Sequence, residues 1–253
     1  MRRALPLLLA VAVALAGCAG DEAPPRAAAA PAEATGTPDA TPEPLGAEPA
    51  APPAPRWRHL VARVKEPSAF RASPGGKVLG RIGRTTEFGG PRFLGVTGNR
   101  RGWLRILIPE RPNGEHAWIK KERARLFGTD VSVHIDRSRR RLVVRDDDRA
   151  VFRMPVAVGR AEHPTPLGRY AVTDKLEMGG PGTTYGCCAL ALTGHQTDLP
   201  SGWAGGDRLA VHGTSDPASI GFAASTGCLR GSDRDLRRLL RLVPIGAPVF
   251  VRA

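Results

Sequence analysis

From residue 57 the chain is patterned in short runs. VARV (61–64), VLGRI (78–82), RFLGV (92–96), GWLRILI (102–108) and HAWIK (116–120) are rich in β-branched, aromatic and other large apolar residues. They are separated by ASPGG, TEFGGP, TGNRRG and PERPNGE, which carry the Gly, Pro and Asn of turns. Strands this short, packed this closely, predict a small barrel over residues 56–127, with Trp103 and Trp118 in its core. VSVHID (131–136) and RLVVRD (141–146) alternate apolar and polar residues around SRR, which predicts a hairpin. VFRMPVAVG (151–159) reads as one further strand, and PTPLGRYAV (164–172) as a rigid turn leading into another. One helix is predicted. Ser232 is its cap and Asp235 its third residue, with Leu236, Leu239, Leu240 and Val243 at helical spacing and Pro244 and Gly246 as its stop. APVFV (247–251) closes the chain as a strand. The expectation is a mainly β protein with one short C-terminal helix.

The first 55 residues follow other rules. MRRALPLLLAVAVALAGC opens on two arginines, continues through a short apolar stretch and ends on Leu15-Ala16-Gly17-Cys18. A basic start before so short an apolar run is a secretory signal rather than a membrane span. Its end resembles a bacterial lipobox, which implies cleavage after residue 17 and lipidation of Cys18; an ordinary signal peptide cut near Ala19 is the alternative. Residues 19–55 are almost entirely Ala, Pro, Glu, Thr and Gly, with no aromatics and Leu45 as the one large apolar residue. Such a segment cannot bury a core and is read as a tether.

Composition sharpens this picture in two places. The chain of 253 residues carries a formal charge of +13. From Arg56 onward 34 basic residues face 18 acidic ones, so the part that folds is more basic than the whole. That balance suits an anionic partner, or simply reflects arginine filling surface positions. No nucleic-acid-binding motif accompanies it. The cysteine count is the second point. With Cys18 assigned to lipid, Cys187, Cys188 and Cys228 remain. An odd number in an oxidising compartment leaves at least one thiol free.

Cys228 lies among small residues, Ser225-Thr226-Gly227-Cys228, sixteen positions after His212. An unassisted thiol is only a few per cent thiolate at neutral pH, and an imidazole brought near it can take its proton. Small neighbours let a substrate carbonyl approach and let backbone N–H groups face a developing oxyanion. The PTP-x-G turn at Pro164–Gly168, His212-Gly213-Thr214, Ser225–Arg230 and VPIGAPV (243–249) occur in this order. Together they resemble the L,D-transpeptidase catalytic domain, the YkuD family, over roughly Val131 to Ala253. The segment before it resembles a bacterial SH3-like domain, through Gly102-Trp103-Leu104 and Ala117-Trp118-Ile119.

The resemblance implies an acyl-enzyme mechanism on peptidoglycan stem peptides. Cys228 takes the place of the nucleophile and His212 of the general base. Gly213, Ser225, Thr226, Gly227, Arg230 and Tyr185 fall where the family lines its substrate and oxyanion sites. Arg230 is open to two readings, a substrate-carboxylate contact or a local structural role. Many members have a second histidine where this chain has Thr226, which offers only a hydroxyl. His134, His163 and His195 have no catalytic partner in view, and Cys187-Cys188 is open to a vicinal disulfide or two thiols. No metal or other cofactor is implied, because His and carboxylates do not gather at ligand spacing.

The expected organisation is a lipoprotein signal peptide (1–17), a lipidated tether (18–55), an SH3-like domain (56–127) and a catalytic domain (128–253). The expected protein is a monomeric envelope enzyme held to a membrane by its N-terminal lipid and facing the extracytoplasmic space, without a nucleic-acid partner. Two alternatives stay open: an L,D-carboxypeptidase using the same acyl-enzyme, and a non-catalytic wall-binding lipoprotein.

Overall fold

The computed structural model describes residues 57–253. The signal peptide, Cys18 and the tether lie outside the described residues. All that is described belongs to one compact unit and is built on two sheets. The first uses β1 (His59–Val64), β2 (Ser68–Arg71), β3 (Val78–Ile82), β4 (Phe93–Arg100), β5 (Trp103–Leu107), β6 (Ala117–Lys120) and β7 (Ala124–Thr129). Its strands are antiparallel, in the order β3-β2-β6-β5-β4-β1-β7. Side-chain alternation puts Leu104, Ile106, Ala117 and Ile119 in its core.

That alternation corrects the expectation for the tryptophans. Trp103 and Trp118 are half-buried, each on the opposite face from the fully buried neighbour that follows it. Trp103 instead borders a groove with Arg71, Arg81, Lys120 and Arg123.

The second sheet begins with the predicted hairpin, β8 (Val131–Asp136) and β9 (Arg141–Asp146). The predicted strand 151–159 is divided into β10 (Arg149–Pro155) and β11 (Val158–Gly159). β12 (Gly168–Glu177), β13 (Cys188–His195), β14 (Arg208–His212), β15 (Ala223–Ser225), β16 (Leu229–Arg230) and β17 (Pro248–Arg252) complete the strands. The sheet order is β10-β9-β8-β17-β12-β13-β14-β16, and β11 pairs with β15 apart from it. The helix α1 (Asp233–Leu242) forms as its cap predicts: Ser232 Oγ accepts the Asp235 N–H at 3.1 Å, and Leu236 and Leu239 are fully buried.

The two sheets share a tight seam. A Cβ at Gly95 on β4 would stand 2.6 Å from that of Ala171 on β12, so only glycine permits this approach. Thr86 Oγ1 donates to the buried Asp174 at 2.6 Å, and Glu87 pairs with Arg208. Asn113 exchanges two hydrogen bonds with the His195 backbone, at 2.6 and 2.9 Å. The first sheet therefore packs on β12, and its connecting loops reach β12, β13 and β14.

Candidate active site

Parallel pairing of β14 with β16 sets the site. Val211 lies opposite Leu229 and His212 opposite Arg230. Val211 and Leu229 are fully buried in the core beneath the sheet. Side chains alternate along a strand, so His212 and Ala210 on β14 and Arg230 on β16 project from the other face. Cys228 precedes β16 by one residue and lies two positions from the partner of His212. Strand spacing and rise put the two backbones roughly 8 Å apart; no hydrogen bond joins the two side chains among the described residues, and the Cys228 sulfur faces the Arg208 carbonyl at the edge of β14.

His212 is 4 % exposed, and its Nδ1 stands 2.5 Å from the Gly213 carbonyl oxygen. A carbonyl can only accept, so Nδ1 carries the proton and Nε2 keeps its lone pair free to receive one. Burial lowers the His212 pKa to about 4; the Gly213 bond opposes this and the Arg230 charge adds to it. Burial pushes the half-buried Cys228 thiol up, against the Ala210 backbone bond and the Arg230 charge. Both groups therefore rest neutral at pH 7, and Sγ donates to the Arg208 carbonyl at 3.6 Å. The arrangement supports proton transfer coupled to attack rather than a standing thiolate–imidazolium pair.

The other residues singled out in the sequence gather around this pair in different ways. The Tyr185 ring meets His212 edge-on at 4.9 Å between centroids, while remaining 40 % exposed. Gly213 donates to the Cys188 carbonyl at 3.1 Å, and its α-carbon packs against Gly186 and the Asp233 carboxylate. Ser225 is buried: its Oγ donates to the Cys228 carbonyl at 2.5 Å and accepts the Gly227 N–H at 3.1 Å. Thr226 offers its carbonyl to Gln196 at 3.2 Å. The Arg230 guanidinium makes no hydrogen bond or ion pair among the described residues, which leaves it available to a carboxylate.

Cys187 and Cys188 form a vicinal disulfide, so Cys228 is the one free cysteine among the described residues. The three histidines without a catalytic partner lie elsewhere. His134 stacks on Phe250, His163 faces the Asp198 carbonyl, and His195 joins Pro109 and Asp207 at the seam. The described residues contain no cluster of His, Cys, Asp and Glu suited to a metal.

Residues 130–251 match the family model of YkuD, the L,D-transpeptidase catalytic domain. The match runs from β8 to Val251 of β17, and takes in both His212 and Cys228. Among curated proteins, a candidate L,D-transpeptidase, YkuD of Bacillus licheniformis, is 32% identical over 112 residues, 44% of this chain and 59% of the relative. Its Bacillus subtilis counterpart is 30% identical over 105 residues, 42% of this chain and 56% of the relative. The chain thus spans less than two thirds of the length of these curated relatives. Among solved structures, L,D-transpeptidase 3 of Mycobacterium tuberculosis has a TM-score of 0.41 at 22% identity, covering 56% of this chain and 70% of that one. An L,D-transpeptidase of Mycobacterium smegmatis has a TM-score of 0.42 at 16% identity, covering 76% and 99%.

Gly227, beside Cys228, has little conformational freedom. Its φ is 106°, a conformation that side-chain-bearing residues rarely adopt, and a Cβ there would strike the Gln196 amide. Gly227→Ala is expected to cost about 1–2 kcal/mol from backbone conformation, with the collision adding to it. Displacement of the neighbouring Cys228 is expected to slow acylation about 100-fold. Thermal denaturation beside an acylation time course checks both.

Proposed function

We propose that this protein is a peptidoglycan L,D-transpeptidase working through a Cys228 acyl-enzyme. The observation that carries this reading is that His212 on β14, and Cys228 one residue before the strand β16 that pairs with it, both fall inside the segment that matches the L,D-transpeptidase catalytic domain. As the Cys228 sulfur attacks the carbonyl carbon before the D-alanine of a stem peptide, its proton passes to His212 Nε2. The tetrahedral oxyanion collapses, the C–N bond breaks, and the departing amine takes the proton from His212. A thioester remains on Cys228. An acceptor amine from a second stem then attacks it, gives a proton to His212, and releases a new amide; the proton returns to sulfur.

In this reading Gly213 fixes the His212 tautomer through its carbonyl. Backbone N–H groups beside Gly227 receive the oxyanion, Arg230 meets a substrate carboxylate, and Tyr185 borders the donor peptide. Thr226 and Ser225 shape the loop that presents the thiol. The N-terminal sheet is assigned to an SH3-like module bracing the catalytic sheet and contacting the wall. Lipid on Cys18 and the tether would hold a monomeric enzyme to a membrane with reach into the wall. Its +16 balance from Arg56 onward suits an anionic polymer.

The test is intact-protein mass spectrometry of the chain from Arg56 onward, incubated with a tetrapeptide stem, with and without an added diamino acceptor, and in parallel with a carbapenem. A covalent adduct, D-alanine release and incorporation of the acceptor are the expected result. D-alanine release without acceptor incorporation at any acceptor concentration would replace transpeptidation by L,D-carboxypeptidation. Binding to sacculi with no adduct from either compound would leave a wall-binding protein.

A further inference from the structure

The loop that presents Cys228 contains two successive peptide units joined at a glycine. The first unit is the Thr226 carbonyl with the Gly227 N–H. The second is the Gly227 carbonyl with the Cys228 N–H. Glycine gives the backbone between them unusual freedom, so each unit can rotate and exchange its carbonyl for its N–H. A carbonyl turned toward the reacting centre would repel an oxyanion, whereas an N–H stabilises it.

Two buried side chains from distant segments hold these units. Thr165, with no exposed surface, donates its hydroxyl to the Gly227 carbonyl at 2.8 Å and accepts the Gly159 N–H at 2.9 Å. Gln196, 4 % exposed, brings its amide nitrogen to the Thr226 carbonyl at 3.2 Å and to the His163 and Pro164 carbonyls at 3.2 and 3.1 Å. Its two hydrogens are shared among the three acceptors. Asp198 N–H fixes the other end of the same amide at 3.1 Å, and the amide fills the space that a Cβ on Gly227 would need.

We infer that Thr165 and Gln196 are positioning residues for acyl transfer, which set the Cys228 N–H as an oxyanion donor by holding the carbonyls of the two peptide units around Gly227. The planar trans peptide makes the link direct: fixing the Gly227 carbonyl on one side fixes the Cys228 N–H on the other. That N–H has no acceptor among the described residues, whereas the Gly227 N–H is consumed by Ser225. Neither side chain reaches the substrate; each acts through the loop.

This inference rests on the proposed acyl-enzyme, and its test separates the two. Thr165→Val keeps shape and removes the hydroxyl, Thr165→Ser restores it, and Gln196→Met removes the amide at similar length. Each variant of the chain from Arg56 onward is measured for acylation by the tetrapeptide stem, for alkylation of Cys228 by iodoacetamide, and for its melting temperature. Alkylation needs the thiol and no oxyanion donor. Thr165→Val and Gln196→Met are expected to slow acylation about 10- to 100-fold while alkylation stays within about twofold, and Thr165→Ser is expected to recover most of the acylation rate. Acylation at the wild-type rate in the Val and Met variants would overturn the inference. So would a loss of acylation matched by an equal loss of alkylation, or a Ser variant as slow as the Val variant. If the unaltered chain takes alkyl groups but no acyl groups, the proposed function fails and not the clamp alone.

Discussion

Cys228→Ala is expected to end acyl transfer, bringing D-alanine release from a stem tetrapeptide to the uncatalysed background. The chemistry leaves no substitute nucleophile. The neighbouring hydroxyl of Ser225 is buried and engaged in hydrogen bonds on both sides. The only other cysteines among the described residues are joined to each other. Folding should survive the change, because Cys228 is half-buried and its sulfur makes only weak contacts to backbone groups, at 3.6 Å to the Arg208 carbonyl and to Ala210. The check is product analysis by liquid chromatography with unaltered circular dichroism as the control.

The second large effect is at His212. His212→Gln preserves much of the shape and removes the proton acceptor, so the acylation rate is expected to fall about 10²- to 10⁴-fold. A pH effect on stability accompanies it. The histidine pKa is about 4 in the folded chain, lowered by burial, and near 6.5 when unfolded. Below the unfolded value the unfolded chain takes a proton that the folded chain refuses. The stability associated with neutral His212 is therefore complete above about pH 6.5 and is lost as pH falls toward 4, at up to about 1.4 kcal/mol per pH unit. The glutamine variant should lack that share of the slope. His59, His116 and His134 are also lowered by burial and contribute in the same direction to both proteins, so denaturant titrations of the pair from pH 7 to 4 isolate His212.

How far the sequence was legible depends on whether an element keeps one face in water. The hairpin of β8 and β9 alternates, because its outer face is exposed, and it stands out in the chain. Helix α1 announces itself through Ser232 and its leucine spacing. β13 does not: CALALTGH is buried on nearly its whole length, so small and apolar residues follow one another without alternation. β15 and β16, at three and two residues, are too short for any pattern. The tryptophans mislead for a related reason. A large aromatic suggests a core, but register gave the interior of the first sheet to Leu104 and Ile119.

The candidate site divides similarly. His212 and Cys228 are legible because nucleophile and base need particular residue types among small neighbours. Thr165 and Gln196 are not, since a threonine in a turn and a glutamine after a strand are ordinary in sequence. Their meaning lies in the carbonyls they reach, 62 and 30 residues away. Thr165 does sit inside the PTP-x-G turn, which is a signal without a stated role. Gln196 follows His195, and attention falls more naturally on the histidine, which the structure commits to the seam.

The most direct test of the central claim is to trap the intermediate. The chain from Arg56 onward is mixed with the tetrapeptide stem, quenched in acid within the first turnovers, digested and mapped by tandem mass spectrometry. A thioester of the stem, shortened by its D-alanine, is expected on the peptide containing Cys228. Release of D-alanine that persists in Cys228→Ala, or an acyl group mapped to any other residue, would contradict it.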